Sequence, residues 1–392
     1  MSLQVVPHGE AQERRCMAPT QVTRVEESTV RRPAEYEALV RRFPSATSCG
    51  VATLVPQTVR VDKAFLDETG FRQPLVMHSS DQAELQVPKT GSMTLEDLLA
   101  AIGSERPVRA IDVRGLGRVG TQRELAEDWK LRQWMQYFNK APTQRDRVLN
   151  LISLECTGTK LDKLVRPPKV VGEIGWVEKH WAAAVKKERA MAPQVRLYCL
   201  MSAAGSYTEF HIDFGGSSVW YHLYKGRKYF FVIPPTRDNF ERFTKWEAQY
   251  RHGQALFFGD LITEGKCAVI EMNAGDTLLL PSGWIHAVYT PEDSISFGGN
   301  FLCGYHMPTQ IQCHAKEKMQ HVEGRFHFPE FECVVWYATA YYAKMLSTCP
   351  SILNKWEWEG LGVLVDALEE WLKGETADSK LLGRITIICK AT

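Results

Sequence analysis

Residues 198–235 read YCLMSAAGSYTEFHIDFGGSSVWYHLYKGRKYFFVIPP, and this stretch decides the fold that we predict for the centre of the chain. Short runs of β-branched and aromatic residues follow one another here, separated by turn residues such as Gly226, which is typical of short β-strands. His211 and Asp213 stand two positions apart, directly after the first of these strands. Because side chains at positions i and i+2 of an extended chain point to the same face, we expect both to face the interior.

Outward from this stretch, the same pattern continues to residue 302. Short apolar runs separated by glycine, proline and aspartate occur at 195–202, 217–224, 228–235, 255–262, 267–272, 276–281, 284–290 and 294–302. Strands of this length and spacing predict a jelly-roll or cupin-type barrel. We place the barrel at 195–310, after a partly mobile N-terminal segment (1–60) and an α/β support region (61–194), and before a C-terminal helical region (311–392).

The support region carries its own signals for helices and strands. Thr94 is a helix cap, Asp97 suits the positive first turn, and Gly103 ends the helix predicted between them. Apolar spacing and strand-like runs predict further helices at 131–139 and around 172–187, and strands at 108–113 and 148–154.

The overall composition excludes several classes of protein. The chain has 47 lysine and arginine residues against 46 aspartate and glutamate residues, so its net charge of +1 predicts no strongly basic nucleic-acid footprint. No run of about 18 apolar residues occurs, so no membrane-spanning helix is predicted. The ten cysteines are scattered without a C-x-x-C pair, which is typical of a reduced, intracellular protein.

A metal site is predicted from the H-x-D pair and one distant histidine. His286, at the end of PSGWIH (281–286), is placed to join His211 and Asp213. Two imidazoles and one carboxylate on one face of a metal leave three positions open, which is the facial triad of non-haem Fe(II) oxygenases. The open positions can accept a bidentate co-substrate and O2. A single histidine would more simply be a hydrogen-bonded core residue, but H-x-D joined to a later P-x-G-W-x-H favours the metal site.

A 2-oxoglutarate site needs a cation for the far carboxylate of the co-substrate, with hydroxyl groups beside it. We predict Lys228 as the cation, with Tyr221 on the same hairpin and Thr208 just before the H-x-D pair. A buried ammonium is costly without a carboxylate partner, so the alternative for Lys228 is a surface residue with its charge in water. Asn300 could present its amide near the open metal position, or bind only the backbone at a strand end.

Two other motifs predict different chemistry. Residues 115–120 (GLGRVG) fit the dinucleotide fingerprint G-x-G-x-x-G, but no series of βαβ units follows, so a glycine-rich loop is the simpler interpretation. A zinc site could form from four residues whose spacing matches no common zinc pattern, namely Cys303, His306, Cys313 and His314.

The central segment resembles the JmjC histone lysine demethylases, in particular the branch that contains the F-box/CXXC-finger enzymes and their PHD-finger cousins. The resemblance rests on residues 198–236 and on FFGDLITEGKCAVIEMNAGDTLLLPSGWIHAVYTPEDSISFGGNFL (257–302). It extends to RVLNLISLECTGTKLDKLVRPP (147–168) before the barrel and to FPEFECVVWY (328–337) after it. It implies an α+β fold built on a double-stranded β-helix with flanking N-terminal α/β elements and a C-terminal helical region.

The resemblance also implies roles for particular residues. It implies Fe(II) bound by His211, Asp213 and His286, with Asn300 beside the iron. It implies that 2-oxoglutarate is held in a pocket formed by Thr208, Lys228, Tyr221 and Asn150.

The implied reaction is O2-dependent removal of methyl groups from mono- or dimethyl-lysine on the histone H3 tail. Lysine 36 is the favoured target, and lysines 9 and 27 are the alternatives. A nuclear location and action on nucleosomes follow from the family alone, and no specific DNA-binding module is predicted in this chain. A JmjC protein hydroxylase, whose product keeps the oxygen, and a catalytically weak chromatin scaffold stay open as other functions.

Overall fold

The computed structural model describes residues 33–113, 126–181, 192–251, 256–263 and 266–373. The helices are α1 (Pro33–Arg42), α2 (Lys63–Thr69), α3 (Leu95–Ile102), α4 (Leu131–Phe138), α5 (Leu161–Leu164), α6 (Lys169–Ile174), α7 (Arg237–Arg251), α8 (Met307–Met319), α9 (Phe331–Thr348) and α10 (Lys355–Lys373). The strands are β1 (Thr53–Leu54), β2 (Leu75–Met77), β3 (Pro107–Asp112), β4 (Ala126–Lys130), β5 (Leu149–Glu155), β6 (Tyr198–Ser202), β7 (Ser206–His211), β8 (Ser218–Lys225), β9 (Arg227–Ile233), β10 (Ala268–Asn273), β11 (Thr277–Leu280), β12 (Ile285–Thr290) and β13 (Ser294–Phe301). The glycine motif at 115–120 lies outside the described residues.

The strands form two sheets that pack against each other. The larger sheet has the order β1-β2-β11-β8-β13-β6-β5-β3-β4, and the smaller has the order β10-β9-β12-β7. Neighbouring strands are antiparallel except for β1 and β2, which are parallel. Both sheets contribute to one apolar cluster, with Tyr221 and Leu278 from the larger sheet and Phe230 and Ile270 from the smaller. The structure therefore confirms the prediction of a mixed fold of helices and a central, mainly antiparallel β region.

One predicted strand is a helical turn instead. The prediction of a strand at 255–262 is wrong, because Phe258–Leu261 forms a 3₁₀ helix. Its apolar character comes from Phe257 and Phe258, which pack edge-on against Phe210 in the core. A short apolar run by itself does not distinguish a strand from a buried turn.

The path of the chain through the site region also differs from the prediction. His211 does not follow the first strand; it ends the second, because the turn at Gly205 (φ 84°) leads from β6 into the smaller sheet. Tyr221 and Lys228 do not share a hairpin, because β8 and β9 pair with different strands. The turn at Gly226 (φ 86°) therefore carries the chain from one sheet to the other.

The flanking regions follow the sequence signals closely. Thr94 caps α3: its hydroxyl accepts from the Asp97 N–H at 3.1 Å, and the Asp97 carboxylate accepts from the Thr94 N–H at 2.9 Å. Strands β3 and β5 and helix α4 confirm the other predictions for this region. The single helix predicted around 172–187 is instead α6 followed by a π-helical turn at Val177–Trp181, beyond which the chain lies outside the described residues until 192.

Helices dominate the described C-terminal part, as predicted, and they are tied back to the support region. The Asp67 carboxylate on α2 accepts hydrogen bonds from Tyr305 at 2.7 Å and from Asn354 at 2.8 Å. Its backbone carbonyl accepts from the Trp356 indole at 3.2 Å. These bonds hold α10 against α2. No described helix is both long enough and apolar enough to cross a membrane.

Candidate metal centre

Three side chains from β7, the turn after it and β12 meet at one point. His211, Asp213 and His286 each offer one ligand atom, and these atoms lie within 4.8 Å of one another. His286 Nε2 is 3.7 Å from Asp213 Oδ2. Within the described residues this is the only group of three or more His, Cys, Asp or Glu side chains with such spacing. The structure thus brings together the three residues that the sequence pattern singled out.

Strand pairing positions the two histidines. β12 runs antiparallel to β7 in the register that sets His286 opposite His211, and the register shifts between His286 and Val288. Such a bulge re-aims side chains relative to regular pairing. Asp213 follows at the start of a turn with extended backbone angles (φ −61°, ψ 148°). The site therefore combines two paired strands with one turn residue.

Hydrogen bonds to the backbone orient both imidazole rings. His211 Nδ1 lies 2.8 Å from the Glu209 carbonyl oxygen, and His286 Nδ1 lies 3.0 Å from that of Trp284. A carbonyl can only accept, so Nδ1 carries the proton in each ring and Nε2 is left as the free ligand atom. This arrangement is common in metal sites, because the second nitrogen fixes the ring orientation.

The protonation state of the site also suits a metal. Burial, which deprives a charged imidazole of its hydration, and the neighbouring His211 together lower the pKa of His286 to about 4. A neutral imidazole is the form that binds metal ions. Two imidazole nitrogens and one carboxylate oxygen match the ligand set of non-haem Fe(II) sites, so the residues present fit this metal.

Lys228 is buried between the two sheets, with its charge exposed to almost no water. The residue is 3% exposed, and Nζ donates to Ser202 Oγ and Thr290 Oγ1, each at 2.9 Å. Burial lowers the pKa of Lys228 to about 7. No carboxylate of the described residues lies within ion-pair distance of it. An ammonium with one unused proton and no counter-ion fits a site for a bound carboxylate.

The other predicted pocket residues have distinct hydrogen-bond partners. Asn150 Nδ2 donates to Thr208 Oγ1 at 3.2 Å, while the buried Asn150 Oδ1 has no partner within the described structure. Tyr221 is buried and donates to Ser296 Oγ at 2.7 Å. Burial raises the pKa of Tyr221, so it stays a hydrogen-bond donor. The structure therefore joins Thr208 to Asn150 directly and sets Tyr221 against a different strand.

Asn300 is the penultimate residue of β13, and its side chain bonds to another side chain rather than only to backbone. Its Nδ2 donates to Ser217 Oγ at 3.0 Å, and its backbone N–H donates to the Val195 carbonyl at 2.8 Å. Ser217 directly follows the 3₁₀ turn that begins after Asp213. Asn300 is thus connected to the turn that carries one of the three candidate ligands.

The structure adds residues that the sequence did not single out. Ser202 and Thr290 hold Lys228, and Glu317 on α8 accepts from the Gly215 N–H at 2.7 Å. Burial raises the pKa of Glu317 to about 7. Serine and threonine at strand ends are too common to signal a site, and Glu317 is separated from the H-x-D pair by about a hundred residues of chain.

The zinc alternative is not supported by the geometry. Cys303 Sγ lies 3.7 Å from His306 Nδ1, but His306 Nε2 is taken up by the Phe71 carbonyl at 2.8 Å. His314 instead faces Glu332 at 3.2 Å. These side chains do not converge on a common point in the described structure.

A His-Asp-His cluster of this kind, in a structure with two mainly antiparallel sheets, is the facial triad of non-haem Fe(II) oxygenases. Residues 198–301 match the JmjC domain, which is described as a hydroxylase domain. Residues 198–301 therefore belong to the JmjC-domain family, as the sequence resemblance predicted. This is a family of 2-oxoglutarate-dependent dioxygenases, which agrees with the ligand set described above.

Similar proteins carry the names of lysine demethylases. The chain is 35% identical over 308 residues to lysine-specific demethylase 2A of Xenopus tropicalis, covering 76% of this chain and 26% of that protein. It is 39% identical over 301 residues to histone lysine demethylase PHF8 of Danio rerio, covering 77% of this chain and 27% of that protein. It is 34% identical over 350 residues to lysine-specific demethylase 7B of Danio rerio, covering 87% of this chain and 56% of that protein. The chain thus spans about a quarter of the first two relatives.

Proposed function

We propose that the chain is an Fe(II)- and 2-oxoglutarate-dependent dioxygenase that removes methyl groups from mono- or dimethyl-lysine of histone H3. Lysine 36 is the favoured target, and lysines 9 and 27 are the alternatives. The observation that carries the proposal is the His-Asp-His cluster in the same β region as a buried lysine without a counter-ion. The names of the similar proteins support the choice of methyl-lysine as substrate.

Each residue of the site has a role in this proposal. His211, Asp213 and His286 hold the metal through Nε2 of each ring and one carboxylate oxygen. Asn300 lies beside the metal and orients the reacting groups through its amide. Bound Fe(II), with 2-oxoglutarate and O2, supplies the oxidation of the N-methyl carbon, which leaves as formaldehyde.

The co-substrate pocket is assigned to four residues, Lys228, Thr208, Asn150 and Tyr221. Lys228 supplies the positive charge for the far carboxylate of 2-oxoglutarate. Thr208 donates its hydroxyl, since its oxygen already accepts from Asn150. Tyr221 lines the apolar side of the pocket, where its ring packs edge-on against Phe230 with centroids 5.2 Å apart. Together these groups exclude water and fix the direction of the co-substrate.

We further propose that the two sheets close into a double-stranded β-helix over 195–310. Regions 1–60, 61–194 and 311–392 form the N-terminal segment, the α/β support and the helical region. A nuclear location and the histone H3 tail within a nucleosome as partner follow from the proposed substrate.

Mass spectrometry of histone H3 peptides dimethylated at lysine 36, 9 or 27 tests this function. The peptides are incubated with the chain, Fe(II), ascorbate and 2-oxoglutarate. We expect one peptide to lose the mass of one CH2 group per methyl removed. Gain of one oxygen atom would instead identify a protein hydroxylase, which the description of the JmjC domain favours as the second candidate. If no succinate forms, both the demethylase and the hydroxylase functions are contradicted, and a catalytically weak chromatin scaffold is the remaining function.

A further inference from the structure

The chain turns sharply directly after the candidate ligand Asp213. The Gly216 N–H donates to the Asp213 carbonyl at 2.9 Å and closes a 3₁₀ turn. Gly215 and Gly216 both have left-handed backbone angles, with φ of 60° and 58°. Two consecutive residues of this kind favour glycine and make the turn easy to deform. The direction of the Asp213 carboxylate therefore depends on what holds this turn in place.

One buried carboxylate from another part of the chain holds the turn. Glu317 on α8 accepts from the Gly215 N–H at 2.7 Å through Oε1. Its second oxygen, Oε2, is buried without a hydrogen-bond partner in the described structure. A partly buried carboxylate that makes one backbone bond and leaves the other oxygen unsatisfied is costly for stability alone. This cost points to a role in fixing the turn.

The same face of α8 also touches the segment that leads to His286. A Cβ atom on Gly216 would lie 2.8 Å from Cys313 Sγ, and a Cβ atom on Gly283 would lie 2.4 Å from Thr309 Cγ2. Thr309, Cys313 and Glu317 are spaced by four residues and so share one face of the helix. Helix α8 is thus in close contact with two of the ligand-bearing segments.

A direct bond joins these two segments. The Ser282 hydroxyl, four residues before His286, donates to the Gly216 carbonyl. Two hydrogen bonds therefore hold the turn after Asp213 in place. Glu317 accepts from the Gly215 N–H, and Ser282 donates to the Gly216 carbonyl.

We propose that Glu317 is a positioning residue for the metal ligand Asp213, and that α8 sets the geometry of the metal centre through it. This inference rests on the metal centre proposed above. Loss of the carboxylate leaves the Gly215 N–H without its acceptor, and the two-glycine turn relaxes. The Asp213 carboxylate then no longer points at the metal held by the two histidines. Partners behind the ligands commonly affect metal affinity by about 10- to 100-fold.

The test is a Co(II) titration of the metal-free full chain, followed by the visible absorption of bound Co(II). We expect Glu317→Ala to weaken Co(II) binding by about 10- to 100-fold and to change the absorption spectrum. Glu317→Gln keeps an acceptor oxygen for Gly215, so we expect it to restore affinity close to that of the unsubstituted chain. Ser282→Ala removes the other hydrogen bond to the turn, so we expect this variant to weaken Co(II) binding as well.

Glu332→Ala is the matched control. Glu332 is also a partly buried carboxylate that anchors α8, through His314 at 3.2 Å and Lys318 at 2.7 Å, but it does not touch the turn. We expect this variant to lower the melting temperature and leave Co(II) affinity unchanged.

Four outcomes would overturn the inference. Unchanged Co(II) affinity in Glu317→Ala would do so, as would an equal loss in Glu332→Ala. If Glu317→Ala does not fold, unchanged affinity in folded Ser282→Ala decides against it. Failure of the unsubstituted chain to bind Co(II) would contradict the proposed metal centre itself. The other three outcomes would contradict only the role of Glu317.

Discussion

The imidazole rings of His211 and His286 face each other across the β7–β12 pair, with centroids 4.2 Å apart and planes tilted by 51°. The two residues are register partners in these strands. A shift of one residue in the pairing would turn one ring to the opposite face of the sheet. The spacing of the two candidate nitrogen ligands is therefore set by strand register, and Asp213 completes the set from the turn.

Removal of one histidine ligand should strongly weaken metal binding without unfolding the chain. We expect His286→Ala to weaken Co(II) or Fe(II) binding by more than about 100-fold and to remove succinate formation, since loss of a ligand exceeds the effect of a partner behind it. Isothermal titration calorimetry and a succinate assay measure the two effects. The control is His222→Ala, a buried histidine that bonds to Thr277 at 2.9 Å outside the cluster. Retained metal affinity in His286→Ala would contradict the assignment.

Binding of 2-oxoglutarate should weaken as the pH rises above about 7. Burial lowers the pKa of Lys228 from 10.5 to about 7, so above this pH the empty pocket holds a neutral amine. A bound carboxylate favours the ammonium, so binding then takes up one proton, and affinity falls by up to about tenfold per pH unit. Calorimetry in buffers of different ionisation enthalpy measures this proton uptake.

The lowered pKa of Lys228 has the opposite effect on stability: stability should increase with pH, whereas 2-oxoglutarate affinity should decrease. Between about pH 7 and the ordinary pKa of 10.5, the unfolded chain binds more protons at Lys228 than the folded chain. The contribution of this residue to the stability of the co-substrate-free protein therefore increases with pH in that window. Lys228→Met is the control: we expect it to weaken 2-oxoglutarate binding by about 10- to 100-fold and to remove both pH effects. A pH-dependent affinity that survives in Lys228→Met would refute this explanation.

A buried ion pair between the support region and the β13 turn should matter far more than the exposed pair beside it. Arg145 binds both oxygens of Asp293 at 2.5 and 2.6 Å, and its side chain is 3% exposed. Asp293→Ala leaves a buried guanidinium unpaired, so we expect a loss of about 3 to 5 kcal/mol in the free energy of unfolding.

The neighbouring Glu292 provides the control for this pair. Glu292 binds Arg227 at 2.7 Å, but both side chains are well exposed, at 51% and 40%. For Glu292→Ala we expect a loss below about 1 kcal/mol. Urea denaturation of both variants gives the comparison, and similar losses would show that burial does not determine the contribution of the Arg145 pair.

The contact between α2 and α10 should be sensitive to a single added methyl group. Gly70 ends α2 with φ 70°, and a Cβ atom there would lie 2.4 Å from the Trp356 ring. We expect Gly70→Ala to lower the free energy of unfolding by about 2 to 4 kcal/mol, from backbone strain and overpacking together. Gly91→Ala, at φ 79° with open space around it, should cost only about 1 to 2 kcal/mol of strain. Equal values in thermal or urea unfolding would exclude a steric role for Trp356.

Local signals in the sequence were sufficient for most elements of the fold. The Thr94 cap and the Gly103 stop define α3, because both act through hydrogen bonds and backbone angles within one turn of chain. The H-x-D and P-x-G-W-x-H motifs likewise identified the three residues of the candidate metal centre, since residue type and spacing restrict what can bind a metal. The apolar run around Phe258 gave a wrong prediction, because burial alone is compatible with either a strand or a turn.

The sequence by itself determined the residue types of the site, the β-rich centre, the helical C-terminal part and the family. Only the tertiary structure decided which strands carry the site residues. It made β7 a separate strand and placed β8 and β9 in different sheets. It alone paired Lys228 with Ser202 and Thr290, and Glu317 with Gly215. The physical reason is that these contacts join residues far apart in the chain. Their formation depends on the pairing register of whole strands and on the docking of α8, which no local pattern encodes.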